Sequence, residues 1–564
     1  MGSLATSLGI VLLSLAVAVL LSWKRNPGAP ADFVITNCSI WTADQDVPWA
    51  ESMAVRRGRI LRVGSLSFVK EVAGSDTEFR DLEGQFVVPG FIDSHVHFIP
   101  GGLQLVRLDL HDVHTRLEFT QKVQHAAHGL EPNEWLQGFG WSNEHWGGEW
   151  PDSSWIDSVT EKNPVWLSRM DGHMGLANKV AMDICDLKSV KEDPTGGSIV
   201  RDADGVPTGL LVDAAMILLT SCVPKPSLEQ RRDALARASH YAVSKGVTSV
   251  VDFGSYFPGG SIKESWNDFE EVYTWMDSLG NMTVRSALFF PLETWPRVAA
   301  LIKERGRHIS DWVHIGGVKA FADGSLGSGT ALFHQHYEDD PNNFGLRVAD
   351  LSWLSESVSA AFESKLQVAV HAIGDAANDD VLGIYADAIS KHPRQGHRLR
   401  VEHAQHLSPG AHLKFGTFSI SASMQPEQLL DDAYYAVKKL GEKRSRGSYN
   451  LRSLLGNGSV VALGSDWPVV AVNPLGGIRA AVERTPSGWS HPWIPEERIS
   501  AWDAVAGYTS LAAYAAALED LVGSLTPGKF ADFVVLSESP FAQGTGIFPR
   551  VVATFVGGNI AFLS

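Results

Sequence analysis

Apolar runs of seven to eleven residues, rich in β-branched side chains, recur through the middle of this α/β chain. Between them lie stretches such as 231–246 and 351–365, where apolar residues return every three or four positions and predict helices. Strands that alternate with helices indicate a parallel sheet, and eight such units predict a (β/α)8 barrel of the TIM type. The eight predicted strands are 91–97, 247–254, 284–290, 314–321, 366–372, 398–405, 415–425 and 460–466.

One long interval and both ends of the chain depart from this alternation. Residues 98–246 are too many for a single crossover, so we predict a large insertion with its own strands and helices. Residues 32–88 and 511–564 contain short strand-like runs separated by turn residues. We therefore predict a small β-sandwich built from both ends of the chain, next to a barrel domain of residues 89–510.

The first residues follow a third pattern. Residues 4–23 carry no charge and are followed by Lys24 and Arg25. Twenty such uncharged, mostly apolar residues can span the roughly 30 Å hydrocarbon core of a bilayer as a helix. Because the basic residues follow the apolar run, the positive-inside rule favours a cytosolic body. We predict a membrane anchor in residues 1–25 and a Pro- and Gly-containing linker at 26–31.

The anchor implies a single-pass protein of the endomembrane system, with the perinuclear or ER membrane as its candidate location. A cleaved or uncleaved signal sequence with a lumenal body is the alternative. Three asparagines begin glycosylation sequons, a number that chance alone can supply. These are Asn37, Asn281 and Asn457.

Charge and cysteine content narrow the function classes. The formal net charge of −17 argues against a nucleic-acid partner, which would need a basic surface. Cys38, Cys185 and Cys222 are widely scattered and form no C-x-x-C motif. We therefore expect neither a disulfide framework nor a thiolate zinc site.

The first predicted strand ends in two histidines, His95 and His97. Residues two apart in a strand point to the same side, so both imidazoles could bind one metal ion. Twenty histidines in 564 residues supply about one such pair by chance, and His334 and His336 form another without an apolar run. The pair at 95 and 97 therefore needs further ligands before it indicates a site.

Later strands supply those ligands. The carboxyl ends of barrel strands meet at one rim, where active sites of such barrels lie. Imidazoles and carboxylates at that rim suit zinc and related divalent ions. Each residue alone has a structural explanation, but six in register on five strands predict a metal site. The six are His95, His97, Lys319, His371, His403 and Asp466.

Substrate-binding candidates are less well defined. Trp141, in the aromatic stretch "GFGWSNEHWGG", either lines an apolar pocket or packs the core of the insertion, and both interpretations stay open. Gln425 ends the seventh strand and is a rim candidate. Asp323 is expected to shape the loop after strand 4, and His406, three residues beyond His403, to point elsewhere.

Several longer motifs identify a family. They include "PGFIDSHVHF", "DGHMGLAN", "GGVKAFADGSLGSGTA", "VHAIGD", "RVEHAQ", "GSDWPV" and "GSLTPGKFADFVVL". From about residue 32 to its end, the chain resembles the amidohydrolase superfamily, in particular its YtcJ-like amidohydrolase 3 branch. Over its whole length, with the apolar N-terminal segment, it also resembles a plant component of far-red light responses.

The resemblance implies a metal centre of one or two divalent ions, with zinc as the expected metal. His95, His97 and Asp466 would hold the more buried ion, and His371 and His403 the second.

Lys319 stands where related enzymes carry a carboxylated lysine, formed with CO2, that bridges two metals. If Lys319 is unmodified, one ion is expected, because a free ammonium repels a dication.

The resemblance also implies a mechanism. A metal-activated water attacks the substrate, and Asp466 acts as general base and then returns the proton to the leaving nitrogen. His173, in "DGHMGLAN", is expected to face the site and assist catalysis. The expected activity is hydrolysis of a carbon–nitrogen bond in a small-molecule, non-peptide amide. A regulatory protein that keeps the scaffold and acts by binding is the alternative, and a homo-oligomer stays open.

Overall fold

The computed structural model describes residues 29–257, 261–393, 398–541 and 549–564. Its centre is a parallel eight-stranded sheet whose strands follow one another in chain order. A parallel bridge from Val96 to Trp467 brings the first strand against the end of the last, so the sheet is a nearly closed barrel. The strands are β1 (Phe91–Val96), β2 (Val247–Asp252), β3 (Arg285–Pro291), β4 (Val313–Phe321), β5 (Val368–Ala372), β6 (Arg400–His403), β7 (Ser421–Met424) and β8 (Val461–Leu463).

The seam between β1 and the segment after β8 closes the barrel. The backbone N–H of Asp466 donates to the carbonyl of His95 at 2.7 Å, and that of His97 donates to the carbonyl of Trp467, also at 2.7 Å. These two bonds lie on either side of Val96 and pair the end of β1 with the segment after β8 in parallel. The seam therefore holds the end of the first strand and the end of the last in fixed register.

A glycine is required at position 464, directly after β8, because β1 and the segment after β8 approach each other closely there. A Cβ atom at this position would lie 2.6 Å from Oδ1 of Asp93 and 2.7 Å from the backbone nitrogen of His95. The Asp93 carboxylate accepts hydrogen bonds from the backbone N–H (2.9 Å) and the hydroxyl (2.6 Å) of Ser465. Only a glycine lets the two strands approach this closely.

Helices cover the outside of the barrel, as the apolar spacing predicts. The helix before β2 begins at Ser227, whose side chain forms a capping box with Gln230. The helices are Leu228–Ser244, Ile262–Asn267, Asp268–Tyr273 (a π-helical turn), Thr274–Ser278, Leu292–Thr294 (3-10), Trp295–Arg305, Leu351–Glu363, Asp375–Lys391, Ala411–Thr417, Gln428–Asp432, Ala436–Ser445, Leu451–Gly456, Pro474–Glu483, Pro495–Glu497 (3-10), Ala501–Gly507 and Ser510–Ala515.

The seventh predicted strand starts too early. Residues 415–417 end the helix Ala411–Thr417, and β7 begins only at Ser421. Phe415 belongs to this helix and is fully buried. Its apolar side chain therefore packs the helix against the core and is not part of a strand. A short apolar run does not distinguish a strand from the last turn of a buried helix.

The long interval after β1 folds around a mixed sheet of its own. Its inner face is packed with aromatic and aliphatic side chains, including Phe119, Trp155 and Leu167. In spatial order the strands are Gly197–Arg201, Pro207–Asp213, Met174–Ala177, Val165–Arg169, Leu136–Trp141 and Leu108–Asp109. Its helices are Phe98–Gln104, Arg116–Ala127, Asn143–Trp146 (3-10), Ser154–Asp157, Lys179–Ile184, Leu187–Ser189 (3-10), Ala214–Met216 (3-10) and Ile217–Thr220.

Two further sheets, built from both ends of the described chain, share a core that contains Ile35, Met53, Val87 and Phe555. The division of the chain into domains at the predicted boundaries stays a prediction. One sheet has the order Arg59–Gly64, Ser52–Arg56, Phe33–Thr36 and Glu78–Asp81, with the helix Leu66–Lys70 beside it. The other has the order Asn559–Leu563, Val551–Val556, Phe533–Leu536, Phe86–Pro89, Ser39–Trp41 and Trp49–Ala50.

A buried ion pair joins these sheets to the barrel. Arg285, at the start of β3, contacts Asp532 through two hydrogen bonds of 2.7 and 3.0 Å. The same carboxylate accepts the backbone N–H of Gly557 at 2.6 Å. Because a buried charge is stable only when it is paired and hydrogen-bonded, this contact fixes the position of these sheets on the barrel.

The membrane prediction is corrected. Within the four described ranges, no helix combines the length and apolar character needed to cross a bilayer, so the structure gives a single-pass membrane protein no support. The predicted anchor at 4–23 and residues 26–28 of the linker lie outside the described residues.

The expectation for the cysteines is also corrected. Cys185 and Cys222 are paired as a disulfide with a Cα–Cα distance of 5.9 Å, and Cys38 is free and buried. The two partners are separated by 37 positions and share no motif, so only the fold of the insertion brings them together.

We expect Gly464→Ala to lower the stability of the protein by about 1–3 kcal/mol, because the added methyl group overpacks the seam. The measurement is the urea midpoint followed by tryptophan fluorescence. Gly383→Ala is the matched control: it lies inside a helix, and a Cβ there meets no atom within 4 Å. An equal midpoint for the two variants would contradict the role assigned to the seam.

Candidate metal centre

Three buried side chains meet at the seam. His95, His403 and Asp466 each offer a ligand atom, and these atoms all lie within 4.8 Å of one another. Nε2 of His95 is 3.3 Å from Oδ1 of Asp466, and Nδ1 of His403 is 4.0 Å from Oδ2 of the same carboxylate. Two imidazoles and one carboxylate at these separations can share one small cation.

The other two predicted histidines lie beside this group. Nε2 of His97 is 3.6 Å from Oδ1 of Asp466, while Nδ1 of His97 contacts the carbonyl of Gly254 at 2.7 Å. A ring nitrogen that donates to a carbonyl leaves the other nitrogen with a free lone pair, as a metal ligand requires. The ring of His371 is 4.4 Å from that of His403, and its Nε2 contacts the carbonyl of Gly324 at 3.0 Å.

Lys319 points into the barrel from β4. It is fully buried, and Nζ has no hydrogen-bond partner within the described part of the chain. Nζ lies 4.3 Å from the ring centre of Phe253 and 4.9 Å from that of Phe321. Burial lowers the pKa of Lys319 to about 8, although the carboxylates of Glu402 and Asp466 act in the opposite direction.

The donor set fits a divalent cation. Nε2 of His95 is buried and has no hydrogen-bond partner within the described part of the chain. Burial, with Lys319 nearby, holds the pKa of His95 well below its ordinary value, and burial does the same for His403. Both rings are therefore neutral, which is the form that binds metal. An unpartnered neutral nitrogen beside a carboxylate is a ligand site that a zinc-like ion would complete.

Glu402 is a member of the site that the sequence prediction missed. It is fully buried, Oε2 lies 2.7 Å from Nδ1 of His95, and Oε1 accepts a hydrogen bond from Arg400 at 2.8 Å. A carboxylate on the far nitrogen of a metal-binding histidine fixes its orientation and raises its basicity. In the sequence Glu402 directly precedes His403. Because neighbouring residues in a strand point to opposite faces of the sheet, the sequence pattern did not place Glu402 beside the other candidate ligands.

The backbone explains why both face the site. His403 and Ala404 have φ values of 73° and 45°, so the strand ends in two left-handed residues. This turn directs the His403 side chain to the rim while Glu402 stays inside the barrel. Asp466, also with a positive φ of 60°, follows β8 in the same way. Non-glycine residues in this conformation are strained and cluster at functional sites.

The insertion contributes His173. Its Nδ1 contacts Oδ1 of Asp213 at 2.6 Å, and its ring is 5.3 Å from that of His371. Burial lowers the pKa of His173, but the carboxylates of Asp213, Asp171 and Asp323 together act in the opposite direction and raise it to about 9. Asp213, which the sequence prediction missed, thus keeps the imidazole protonated and oriented.

A cavity opens onto these groups between the insertion and the barrel rim. His173, His371, His403 and Asp466 line its floor. Its other walls come from the insertion and from the segments after β4, β5, β6, β7 and β8: Met170, Asp171, Ser325, Leu326, Gly327, Ile373, Gln405, Gln428, Asp431, Asp432, Tyr435, Val469 and Val470.

Asp171 ties the insertion to the barrel at the edge of this cavity. Its carboxylate contacts Arg169 at 2.7 Å and accepts hydrogen bonds from Ser325 (2.6 Å) and Ser328 (2.7 Å), which follow β4. The insertion is thereby fixed over the carboxyl rim of the barrel, where His173 faces His371.

Trp141 is not among the residues that line this cavity. It is fully buried, donates from Nε1 to the carbonyl of Leu167 at 2.8 Å and stacks on Trp146. Of the two interpretations of this aromatic stretch, core packing is the one that the contacts describe, and the substrate-binding role of Trp141 is corrected. Aromatic content alone cannot separate a pocket wall from a core.

Gln425 does not line the cavity either. It is fully buried, and its Oε1 lies 2.9 Å from Nδ1 of His403, so it positions that histidine. Asp323 accepts three backbone N–H groups, from Leu332, Ile373 and Gly374, as its expected loop-shaping role requires.

His406 is buried and contacts the hydroxyl of Ser448 at 2.8 Å, away from the cavity, as expected.

Comparison with known proteins gives three relatives of nearly full length. The chain is 50% identical over 534 residues to Protein LONG AFTER FAR-RED 3 of Arabidopsis thaliana, which covers 94% of this chain and 92% of that protein. It is 33% identical over 512 residues to Putative amidohydrolase YtcJ of Bacillus subtilis (strain 168), covering 89% and 94%. It is 26% identical over 548 residues to N-substituted formamide deformylase of Arthrobacter pascens, covering 94% and 98%.

A solved structure and a family model agree with these relatives. The crystal structure of an uncharacterized metal-dependent hydrolase from Pyrococcus furiosus matches with a TM-score of 0.69 and 26% identity, covering 90% of this chain and 100% of that one. The family model described as the amidohydrolase family matches residues 78–562. The resemblance drawn from the motifs is confirmed, and the chain belongs to the amidohydrolase family.

Proposed function

We propose that this protein is a metal-dependent hydrolase that cleaves a carbon–nitrogen bond in a small-molecule amide other than a peptide. The observation that carries the proposal is the buried group of His95, His403 and Asp466 at the carboxyl rim of the barrel. Membership of the amidohydrolase family and the similarity to a metal-dependent hydrolase support it. The Arthrobacter relative is named for deformylation of N-substituted formamides, a reaction at a carbon–nitrogen bond, which supports this choice of bond.

In this proposal His95, His403 and Asp466 would hold one divalent ion, with zinc as the expected metal, so that His403 belongs to the first ion and not to the second, where the resemblance placed it. Nε2 of His97, 3.6 Å from Oδ1 of Asp466, is the next donor. When bound, the ion supplies a Lewis acid that lowers the pKa of water toward neutrality. Glu402 and Gln425 hold the rings of His95 and His403 in place through the contacts described above.

A carbamate on Lys319 belongs to the same proposal. The amine is buried inside the barrel, without a hydrogen-bond partner in the described chain, and lies close enough to Asp466 and Glu402 for their charges to act on it. The neutral form of the amine would react with CO2, forming a nitrogen–carbon bond and releasing one proton, and the product would carry an anionic oxygen donor in place of an amine that repels a cation when protonated. His371 and the carbamate would then hold a second ion.

Asp466 moves the proton in the reaction. Its carboxylate takes one proton from the attacking water, whose oxygen adds to the carbonyl carbon of the amide. The carbon–nitrogen bond then breaks, and Asp466 returns the proton to the departing nitrogen. A carboxylic acid and an amine are released, and the carboxylate of Asp466 is restored.

His173 stabilises the charge that develops on the carbonyl oxygen. It lines the same cavity as Asp466, and Asp213 fixes its Nδ1, so Nε2 is the atom left to meet the substrate. A hydrogen bond that strengthens as the oxygen becomes negative lowers the barrier.

A regulatory protein that acts by binding is the second candidate. The observation in its favour is the 50% identity to a protein named for far-red light, and a role in far-red light signalling is proposed on that similarity alone. Bound metal without turnover on any amide would favour this second candidate.

We expect His95→Gln and His403→Gln each to lose most of the bound zinc, because each removes a neutral nitrogen from the ligand group. The measurement is metal content of the purified full-length protein by mass spectrometry. His406→Gln is the matched control, since His406 is equally buried but its ring contacts Ser448, Phe333 and Tyr449 and none of the candidate ligands. Unchanged zinc in the first two variants would overturn the ligand assignment.

We expect Asp466→Asn to lower kcat/KM by about 100-fold to 10,000-fold, since the amide can neither accept nor return the proton. The measurement is amine release from a panel of N-acyl and aryl amides by the zinc-loaded protein, with metal content determined in parallel. Asp503→Asn, an exposed carboxylate in a capping box outside the site, is the control. Turnover of the panel that survives in Asp466→Asn would refute the assigned base.

We expect His173→Gln to lower kcat/KM by about 100-fold or more while zinc content stays unchanged, because a charge-stabilising donor is removed and no ligand is. The same amide panel and metal assay apply. His145→Gln, a histidine of the insertion outside the cavity, is the matched control. Equal rates for His173→Gln and His145→Gln would place His173 outside the chemistry.

A further inference from the structure

A second, larger cavity adjoins the metal centre. Its volume is about 330 Å³, and Met170 and Val469 lie in the walls of both cavities. The ring of Phe257, also in its wall, stacks on the candidate ligand His97 with ring centres 4.2 Å apart. The cavity therefore begins at the site itself and extends away from it.

One wall of this cavity is connected to the site through the backbone. The helix Phe98–Gln104 starts directly after His97, and Pro100, Leu103 and Gln104 line the cavity. At 1.5 Å per residue, this helix carries the wall about 10 Å from the site. The insertion supplies most of the remaining surface, which is largely apolar and includes Phe139, Trp166, Met216 and Ile217.

Most charged side chains in the cavity wall have partners. Asp213 contacts His173, and Arg169 contacts Asp171. Lys225 and Glu264 pair with each other.

Arg107 differs from these residues. Its guanidinium makes no hydrogen bond or ion pair with any residue in the described ranges, although it is only partly exposed. Burial lowers its pKa, with no neighbouring carboxylate acting in the opposite direction. An arginine stays charged at any physiological pH, so an unpaired one in an apolar cavity is a favourable site for an anion.

Gln104 adds a second unpartnered polar group. Its Oε1 is buried without a hydrogen-bond partner in the described chain, and it lies one turn before Arg107, whose backbone N–H donates to its carbonyl at 2.9 Å. A side-chain amide can turn so that either its oxygen or its nitrogen faces a ligand. Gln104 and Arg107 together present donors to one end of the cavity.

We propose that this cavity binds the acyl arm of the substrate and that the arm ends in a carboxylate held by Arg107 and Gln104. The inference rests on the proposed function, because it places the scissile amide at the metal centre. A carboxylate matches the guanidinium with two parallel hydrogen bonds, and the apolar walls suit a methylene chain between the two ends. The substrate class is therefore an amide of a dicarboxylic acid.

The test compares two anilides of the same length with the zinc-loaded full-length protein. One is the monoanilide of adipic acid, which ends in a carboxylate, and the other is hexananilide, which ends in a methyl group. We expect kcat/KM to be at least about tenfold higher for the carboxylate-ended anilide, as a charge-assisted hydrogen bond gives. Arg107→Met should remove most of this difference. Arg305→Met, at the exposed end of the helix Trp295–Arg305, should leave it unchanged.

Calorimetric binding of the same two anilides to the zinc-free protein separates this inference from the proposed function. Tighter binding of the carboxylate-ended anilide that is lost in Arg107→Met, without turnover in any sample, supports the cavity assignment and contradicts the hydrolase. Turnover of both anilides at one rate that Arg107→Met does not alter contradicts the cavity assignment and leaves the hydrolase intact. Equal affinity for the two anilides, or none for either, also overturns the assignment.

Discussion

The seam that closes the barrel is the constraint on which the site depends. Backbone bonds from Asp466 to His95 and from His97 to Trp467 join segments that are far apart in the chain. The adjacent contact between Asp93 and Ser465 spans 372 positions. Because His95, His97 and Asp466 themselves make or accept these bonds, barrel closure brings these three candidate ligands together. A chain that failed to close would have histidines but no site.

Buried charge gives the centre its rigidity. Arg400 contacts Glu402, Glu402 contacts His95, and His95 faces Asp466. Each of these groups would be costly to bury alone and is tolerated because its neighbour compensates it. Such a network has few alternative arrangements, so Nε2 of His95, the candidate ligand atom, is held in position by the protein alone.

The sequence predicted the barrel and its rim because these follow from simple periodicity. Strand ends in a parallel barrel meet at one face, so residues at the ends of β1, β4, β5, β6 and β8 had to converge. Glu402 and Asp213 escaped prediction because left-handed backbone at His403 and at Asp213 redirects side chains against the strand alternation. No propensity scale anticipates those φ values in non-glycine residues.

The same limit applies outside the site. Trp141 could be assigned to a core or to a pocket equally well, because burial depends on contacts from the rest of the insertion. The Cys185–Cys222 pairing depends on how helices Lys179–Ile184 and Ile217–Thr220 approach each other, which spacing along the chain does not reveal. Local pattern thus predicts where an element ends, whereas tertiary packing decides what its side chains meet.

The helix Phe98–Gln104, which starts directly after His97, has a consequence for the selection of substrates under the proposed assignment. It connects a candidate metal ligand to the far end of the second cavity through a rigid rod of seven residues. In the proposed assignment, the fixed length of this helix sets the distance between the candidate ligands and Arg107. A substrate whose acyl arm is too short would leave its carboxylate unbound, and one whose arm is too long would hold its reactive carbonyl away from the ligands. Chain length, more than the identity of the leaving amine, would then decide which molecules the protein accepts.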